Sequence, residues 1–272
     1  MTNKVVEVTF AACSSHAPHI LSRRIQSSEE YRKQVERVHR TLEELGKELR
    51  KKNVDTLIVI GGDHYETFFF DNFPMLNVYV DNRAFARVQN EELPYEIDVE
   101  MAKELLFGLA KEDFDISFSQ GPFRLSHAVV SPTYWMFKSH RVPIVPIHMN
   151  TNIEPMISPQ RAFRFGETLT RVLQRIPLKK NIGILGTGGL SHFPGTPYYG
   201  KVDVEFDKRF LSLLEEGRTD EIYKLSAEEL EESGNIELRA WMSIVGAVKR
   251  RARTLLFEPT YHIDYAIVNF EL

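Results

Sequence analysis

The sequence predicts an α/β fold: a single domain with a central, mostly parallel or mixed sheet flanked by helices on both faces. Three observations predict it. Short apolar, β-branched runs alternate with segments of helical periodicity along most of the chain. The strand-like runs are continuously apolar, as strands covered on both faces are. No low-complexity linker or internal repeat divides the 272 residues, so one domain is read over 1–272.

The elements follow in order. VVEVTFAA (5–12) is β-branched and breaks into SSHAPH, a buried strand emptying into a loop. Residues 27–52 are helical in pattern, opened by SSEE as a capping signal. DTLIVIGG (55–62) is a second buried strand, LNVYV (76–80) a third, and IDVEMAKELLFGLAKE (97–112) a helix. VPIVPIHMN (142–150) reads as a strand whose prolines place it near an edge or a bend. A helix over 157–176 leads to NIGILGTGGLSHF (181–193), which repeats the pattern of strand, glycines and histidine. The last third is mostly helical, over 204–217, 227–232 and 235–252, and closes on the strand-like YHIDYAIVNF (261–270).

Composition bounds the function. The chain is 43% hydrophobic and 26% charged with a formal charge of -4, and it has no basic tract to follow a phosphate backbone, so nucleic acid is not an expected partner. The single Cys13 cannot form an internal disulfide. No apolar run approaches the roughly 20 residues that span a bilayer, and VVEVTF follows no charged leader with an apolar signal core. A soluble, cytoplasmic protein is expected.

In open α/β sheets ligands sit at the carboxyl ends of the strands. Three histidines fall there: His16 after the first strand, His64 after the second, and His192 after GTGGLS. One such histidine is more often a hydrogen-bonded structural residue than a ligand; three together carry more weight. Two imidazoles and one carboxylate form the facial triad of non-haem Fe(II) oxygenases, which leaves coordination positions open. Glu237 is the candidate carboxylate, early in NIELRAWMSIVGAV, although alone it reads as a surface glutamate at a helix start.

SSHAPHI, IGGDHYETFFFD, GTGGLSHFPGTP and NIELRAW, in this order and at these separations, resemble the class III extradiol ring-cleavage dioxygenases, the family of the protocatechuate 4,5-dioxygenase β subunit. The likeness is greatest to the 2,3-dihydroxyphenylpropionate dioxygenase branch, through DHYETFFFD and LLEEGRTDEIYKLSAEEL, and covers nearly the whole chain. The resemblance implies that His16, His64 and Glu237 bind Fe(II) and that His192 is a catalytic histidine taking a proton from the catechol. It also implies a second catalytic histidine, matched by His127 in LSHAVVSP, where Ser126 and Ala128 stand in place of the family's Asp and Gly. The implied reaction inserts both atoms of O2 into a catechol-type ring beside its two hydroxyls, giving a muconic semialdehyde-type product in aromatic catabolism. The implied partners are that small aromatic substrate and O2, in a homo-oligomer that in some members includes a second, smaller subunit.

Histidine suits the proton transfer, because it accepts a proton near neutral pH without being permanently charged. The opening glycines let the backbone turn before His64, and the aromatics behind it suit either a pocket for a flat ring or plain core. Core is the expectation for at least two of Tyr65, Phe68, Phe69 and Phe70, with Tyr65 the pocket candidate. Asp63 reads as a loop cap or an acceptor for a ligand's free N–H. His19 reads as a rim or hydrogen-bonding residue, His148 as structural, His39 and His140 as solvent-facing, and His262 as ambiguous. Arg124 is either a carboxylate-recognising residue or an ion-paired surface arginine. GTGGLS lacks the lysine of a P-loop and the spacing of a dinucleotide fingerprint, so no nucleotide is assigned. Two rival classes fit part of the pattern: a zinc hydrolase using the same three ligands, and a non-catalytic adaptor or partner subunit of the same fold. A catechol, an aminophenol or a dihydroxypyridine would each present the required flat ring, and the branch points to a catechol carrying a side chain.

Overall fold

The computed structural model describes residues 6–22, 28–112 and 114–272. The first residue of the expected opening strand, the start of the helix expected from 27, and the reading of the N-terminal leader fall outside them. The strands are β1 (Val6–Ser14), β2 (Thr56–Gly61), β3 (Leu76–Tyr79), β4 (Ala84–Val88), β5 (Glu91–Tyr95) and β6 (Ser117–Ser119). Then follow β7 (Phe123–Arg124), β8 (Ile144–Met149), β9 (Lys180–Thr187), β10 (Ala252–Glu258) and β11 (Tyr265–Phe270). The helices are α1 (Glu29–Lys51), α2 (Val99–Ala110), α3 (His127–Met136) and α4 (Pro159–Leu173). α5 (Val204–Glu216), α6 (Thr219–Lys224), α7 (Ala227–Glu232) and α8 (Leu238–Val248) complete them.

Eight strands form one mixed sheet in the order β10-β11-β1-β9-β2-β8-β3-β6. Its centre is parallel, from β1 through β9 and β2 to β8, while β11 runs antiparallel to β1 and β3 antiparallel to β8. The alternation along β2 shows why its whole run is apolar. Ile58 and Ile60 join one buried cluster with Phe163, Trp241 and Ile244, whereas Leu57 and Val59 join the other with Val35, Leu42 and Val130. Each of these buried aliphatic side chains contributes about 1.5–3 kcal/mol, so β2 is held from both faces and its carboxyl end is a rigid place to mount a side chain.

Ser28 caps α1 as SSEE suggested, its hydroxyl accepting the Tyr31 N–H at 3.2 Å. Val35, Val38, Leu42, Leu45 and Leu49 then keep helical spacing and are all buried. α4 and α8 pack unusually closely. A methyl on Gly166 would fall 1.7 Å from the Ser243 carbonyl oxygen, and one on Gly246 would fall 2.1 Å from that of Phe163, so only glycine permits this approach.

Four readings are corrected. β8 is interior, between β2 and β3; its ladder to β3 reaches only Ile147 while residue 144 bridges Ile97, and Pro146 lies in the gap where no strand bond is required of it. The last helix stops at Val248, because Lys249 turns left-handed (φ 47°) and the chain becomes β10. Only Phe68 of the three phenylalanines is core; Phe69 and Phe70 are 53% and 86% exposed. His39 does not face solvent freely: it stacks on Trp135 at 3.7 Å and its Nε2 donates to the Ile20 carbonyl at 2.8 Å. The small sheet β5-β4-β7 and helices α3 and α6 were not read from the sequence. No helix among the described residues is long and apolar enough to cross a membrane.

Candidate active site

The carboxyl ends of β1, β2 and β9 deliver three of the expected residues to one place. After β1, Ser15 pins the chain to β11, its N–H donating to the Ala266 carbonyl and its hydroxyl accepting the Ala266 N–H, both at 2.9 Å. His16 follows, buried, with Nδ1 3.2 Å from the Thr187 hydroxyl at the end of β9 and Nε2 3.1 Å from Glu237 Oε1. After β2, Asp63 accepts the N–H groups of Glu66, Thr67 and Phe68 at 3.1–3.3 Å, which folds the loop over and makes Asp63 a loop cap. That loop directs His64 so that its Nε2 lies 2.9 Å from the same Glu237 oxygen.

Glu237 is 1% exposed and sits at the N-cap position of α8. Its second oxygen, Oε2, accepts the Gly189 N–H at 2.6 Å and lies 3.7 Å from His192 Nε2. The glycine pair of GTGGLS thus has a purpose. A methyl on Gly188 would fall 2.8 Å from both Cβ and the carbonyl oxygen of Glu237, so this glycine admits the glutamate while the next one donates to it. Burial by itself would raise the Glu237 carboxyl, but His16 and then His64 hold it well below the ordinary range. Burial lowers His16 to about 4 against the pull of Glu237, so that ring is neutral, the form that ligates a metal.

The two remaining histidines face the same space with different partners. His192 Nδ1 donates to the Leu190 carbonyl at 2.8 Å. A carbonyl can only accept, so Nδ1 carries a proton, and in the neutral ring Nε2 is the nitrogen that holds the lone pair. His127 opens α3, with its ring centroid 4.4 Å from that of His64 and 5.4 Å from that of His16. Its backbone N–H and Nδ1 both meet Glu66 Oε2, at 2.6 and 2.7 Å. Burial raises Glu66, yet these bonds from His127, with Arg124 added, bring it down to about 2. Ser126 has become the helix cap, its hydroxyl accepting the Ala128 N–H.

All five expected residues therefore converge: His16, His64, Glu237, His192 and His127. Donor atoms of His16, His64 and His127 lie within 4.8 Å of one another, and Glu237 touches two of them directly. Two donor sets are thus available. His127 has its Nδ1 engaged by Glu66, whereas Glu237 brings the negative charge a cation requires and the shorter distances, so the set of His16, His64 and Glu237 fits better. The separations of 2.9 and 3.1 Å bring these three side chains close enough to share one cation.

The site opens into a pocket of about 220 Å³, small beside the usual 300–1,000 Å³ of ligand sites. Six histidines line it: His16, His19, His64, His127, His192 and His262. Tyr65 does not; its ring lies 4.8 Å from Phe70 and 5.6 Å from Phe73. Arg124 is tied to Glu66 at 2.9 Å and lies outside the lining. His148 is structural, its Nε2 donating to the Pro74 carbonyl at 3.0 Å. Glu66, Thr187, the donor role of Gly189 and the pocket position of His262 were not read from the sequence. Only the glycine pair and the carboxylate two residues beyond His64 offered a signal.

The family model described as the catalytic LigB subunit of aromatic ring-opening dioxygenase matches residues 10–268. The chain is 22% identical over 267 residues to a 2,3-dihydroxyphenylpropionate/2,3-dihydroxicinnamic acid 1,2-dioxygenase from Klebsiella pneumoniae, covering 80% of this chain and 84% of that one. It is 23% identical over 242 residues to the protein of the same name from Escherichia coli, covering 71% and 76%. An uncharacterized protein of Escherichia coli K12 shares the fold with a TM-score of 0.63 at 12% identity, over 97% of this chain and 100% of that one.

Proposed function

The chain belongs to the family of the catalytic LigB subunit of aromatic ring-opening dioxygenases, and from that premise we propose an Fe(II)-dependent extradiol dioxygenase whose metal is held by His16, His64 and Glu237. The enzyme class, a ring-cleavage dioxygenase acting on a catechol-type ring, follows from the family. The observation that carries the finer reading is the meeting of one Glu237 oxygen with His16 Nε2 at 3.1 Å and His64 Nε2 at 2.9 Å, from parts of the chain 221 and 173 residues apart.

When bound, Fe(II) supplies the Lewis acidity and one-electron chemistry that let a catechol react with O2. The protein's own part is proton management and exclusion of water. His192 receives the proton of a ring hydroxyl at Nε2, because its Nδ1–H is already committed to the Leu190 carbonyl. The proton so taken leaves the ring more electron-rich. His127 returns a proton from its Nε2 as the ring opens. It is suited to this by Glu66, whose carboxylate neutralises the charge His127 carries when both nitrogens hold protons. Pro194, Ile263 and the imidazole faces form walls that hold a flat ring and shed water. Cleavage beside the two hydroxyls gives a muconic semialdehyde-type product.

Anaerobic reconstitution with Fe(II), followed by oxygen uptake on addition of a catechol panel, tests the proposal beside Glu237→Ala. Iron-dependent uptake lost in the variant is the expected result. Equal uptake by Glu237→Ala would overturn the ligand assignment, and activity with bound zinc and no iron would overturn the assignment of Fe(II).

A further inference from the structure

One buried acid lies outside the set of five. Asp207 sits on the inner face of α5 beside Phe210, Leu211 and Leu214, and it is fully buried with them. A carboxyl in such a place is costly unless its oxygens are used, and both are. Oδ2 accepts the Ser191 N–H at 3.2 Å, and Oδ1 accepts an N–H of the Asn235 amide at 2.8 Å. Ser191 and Asn235 are themselves fully buried; the amide's other contacts, to the Ser233 carbonyl and hydroxyl, are longer at 3.4 and 3.3 Å.

These two partners bracket His192. Ser191 precedes it in the chain, and Asn235 follows Gly234, whose carbonyl accepts the His192 N–H at 3.1 Å. A closed circuit results. It runs from Asp207 to Ser191 by a hydrogen bond, to His192 along the chain, to Gly234 by a hydrogen bond, to Asn235 along the chain, and back to Asp207. The circuit is tight: Gly234 is left-handed (φ 74°), and a methyl on it would fall 2.8 Å from the His192 carbonyl oxygen. Ser191 is pinned twice more, its hydroxyl accepting the Asp203 N–H at 2.6 Å and its carbonyl the Asp264 N–H at 3.3 Å. Glu237 is held separately, by the Gly189 N–H and the close fit at Gly188. Asn235 keeps its own backbone bonds to Leu230 and Leu238 whatever its side chain does.

We propose that Asp207 is a positioning residue for His192: by closing this circuit it fixes the backbone from which the histidine reaches the ring hydroxyl. This rests on the role given to His192 above and deepens it.

Asp207→Asn tests it at nearly constant shape, because an amide has one acceptor where two are used and its NH2 group faces a donor. The Fe(II)-loaded variant loses about 10–100-fold in kcat, with KM and Fe(II) affinity unchanged. Amide hydrogen exchange speeds up at Ser191 and His192 and stays the same at Gly189. In a His192→Ala background Asp207→Asn costs nothing further, since a residue acting through His192 has nothing left to position. Full turnover in Asp207→Asn, a loss that persists beside His192→Ala, or a parallel loss of Fe(II) affinity would overturn the inference. If Asp207→Asn does not fold, Asn235→Ala opens the same circuit at its other bond and is read the same way. No ring opening by the unaltered protein would count against the dioxygenase reading alone; the exchange rates then decide the inference, which unchanged exchange at Ser191 and His192 would overturn.

Discussion

Gly188→Ala places a methyl group 2.8 Å from Glu237 Cβ and from its carbonyl oxygen. Non-bonded carbon atoms rest at about 3.5 Å or beyond, so roughly 0.7 Å must be found. Gly188 cannot supply it. Its N–H donates to the Ser14 carbonyl at 3.1 Å and its carbonyl accepts the Trp241 indole N–H at 3.2 Å, which fixes it to β1 and to α8. Glu237 has to move, and the contacts of 3.1 and 2.9 Å to His16 and His64 lengthen with it. A site of this kind tolerates about 0.5 Å, so Fe(II) affinity falls about 10–100-fold. Overpacking costs about 1–3 kcal/mol in stability, a melting-temperature drop on the order of 5 °C. Competition with a fluorescent chelator measures the first and a circular-dichroism melt the second. Unchanged metal affinity in a folded Gly188→Ala protein would refute the claim that this glycine sets the position of the glutamate.

Other predictions concern protons. His192→Ala slows ring opening about 10²–10⁴-fold with Fe(II) affinity retained; parallel loss of metal would instead make His192 a ligand. Glu66→Gln removes the charge beside His127 Nδ1 and lowers turnover about tenfold or more, with Glu66→Asp restoring part of it; wild-type turnover in Glu66→Gln would discard the role given to Glu66. Asp207 is a buried carboxyl pushed up to about 8, first by burial and then by the Asp264 carboxyl, against the hydrogen bond from Asn235. A raised carboxyl stabilises the fold in its protonated form, so that stability is full below the unfolded value near 4 and is lost as pH climbs through about 8. Urea melts across this window show the decline in the unaltered protein and a flatter profile in Asp207→Asn; identical profiles would contradict it.

The parallel centre of the sheet was legible because β-branched apolar runs have few other places to go, and the residues at its strand ends followed from that. His16, His64 and His192 needed only the rule that ligands gather at the carboxyl ends of strands. Glu237 needed more, because nothing local distinguishes it from an exposed helix-start glutamate; the family likeness supplied what spacing could not. His127 was named in spite of Ser126 and Ala128, and its site partner proved to be Glu66 from another loop, a pairing that depends on tertiary placement. Pro146 misled because proline in a strand suggests an edge, whereas the relevant strand bond is simply not required there. Tyr65 follows His64 in sequence, but adjacency along a loop does not make two side chains share a pocket; Tyr65 lies against Phe70 and Phe73. His262 stayed ambiguous because its place in the pocket lining is a property of its surroundings.

Under the proposed function this chain puts both atoms of one dioxygen molecule into one catechol-type ring. Turnover of Fe(II)-loaded protein under ¹⁸O₂, with mass spectrometry of the ring-opened product, tests it most directly. The expected product carries two oxygen atoms beyond those of its substrate, labelled from O₂ apart from any carbonyl exchange with water, with one O₂ consumed per ring. A product labelled only from water, formed without oxygen uptake, would contradict it and make the centre hydrolytic.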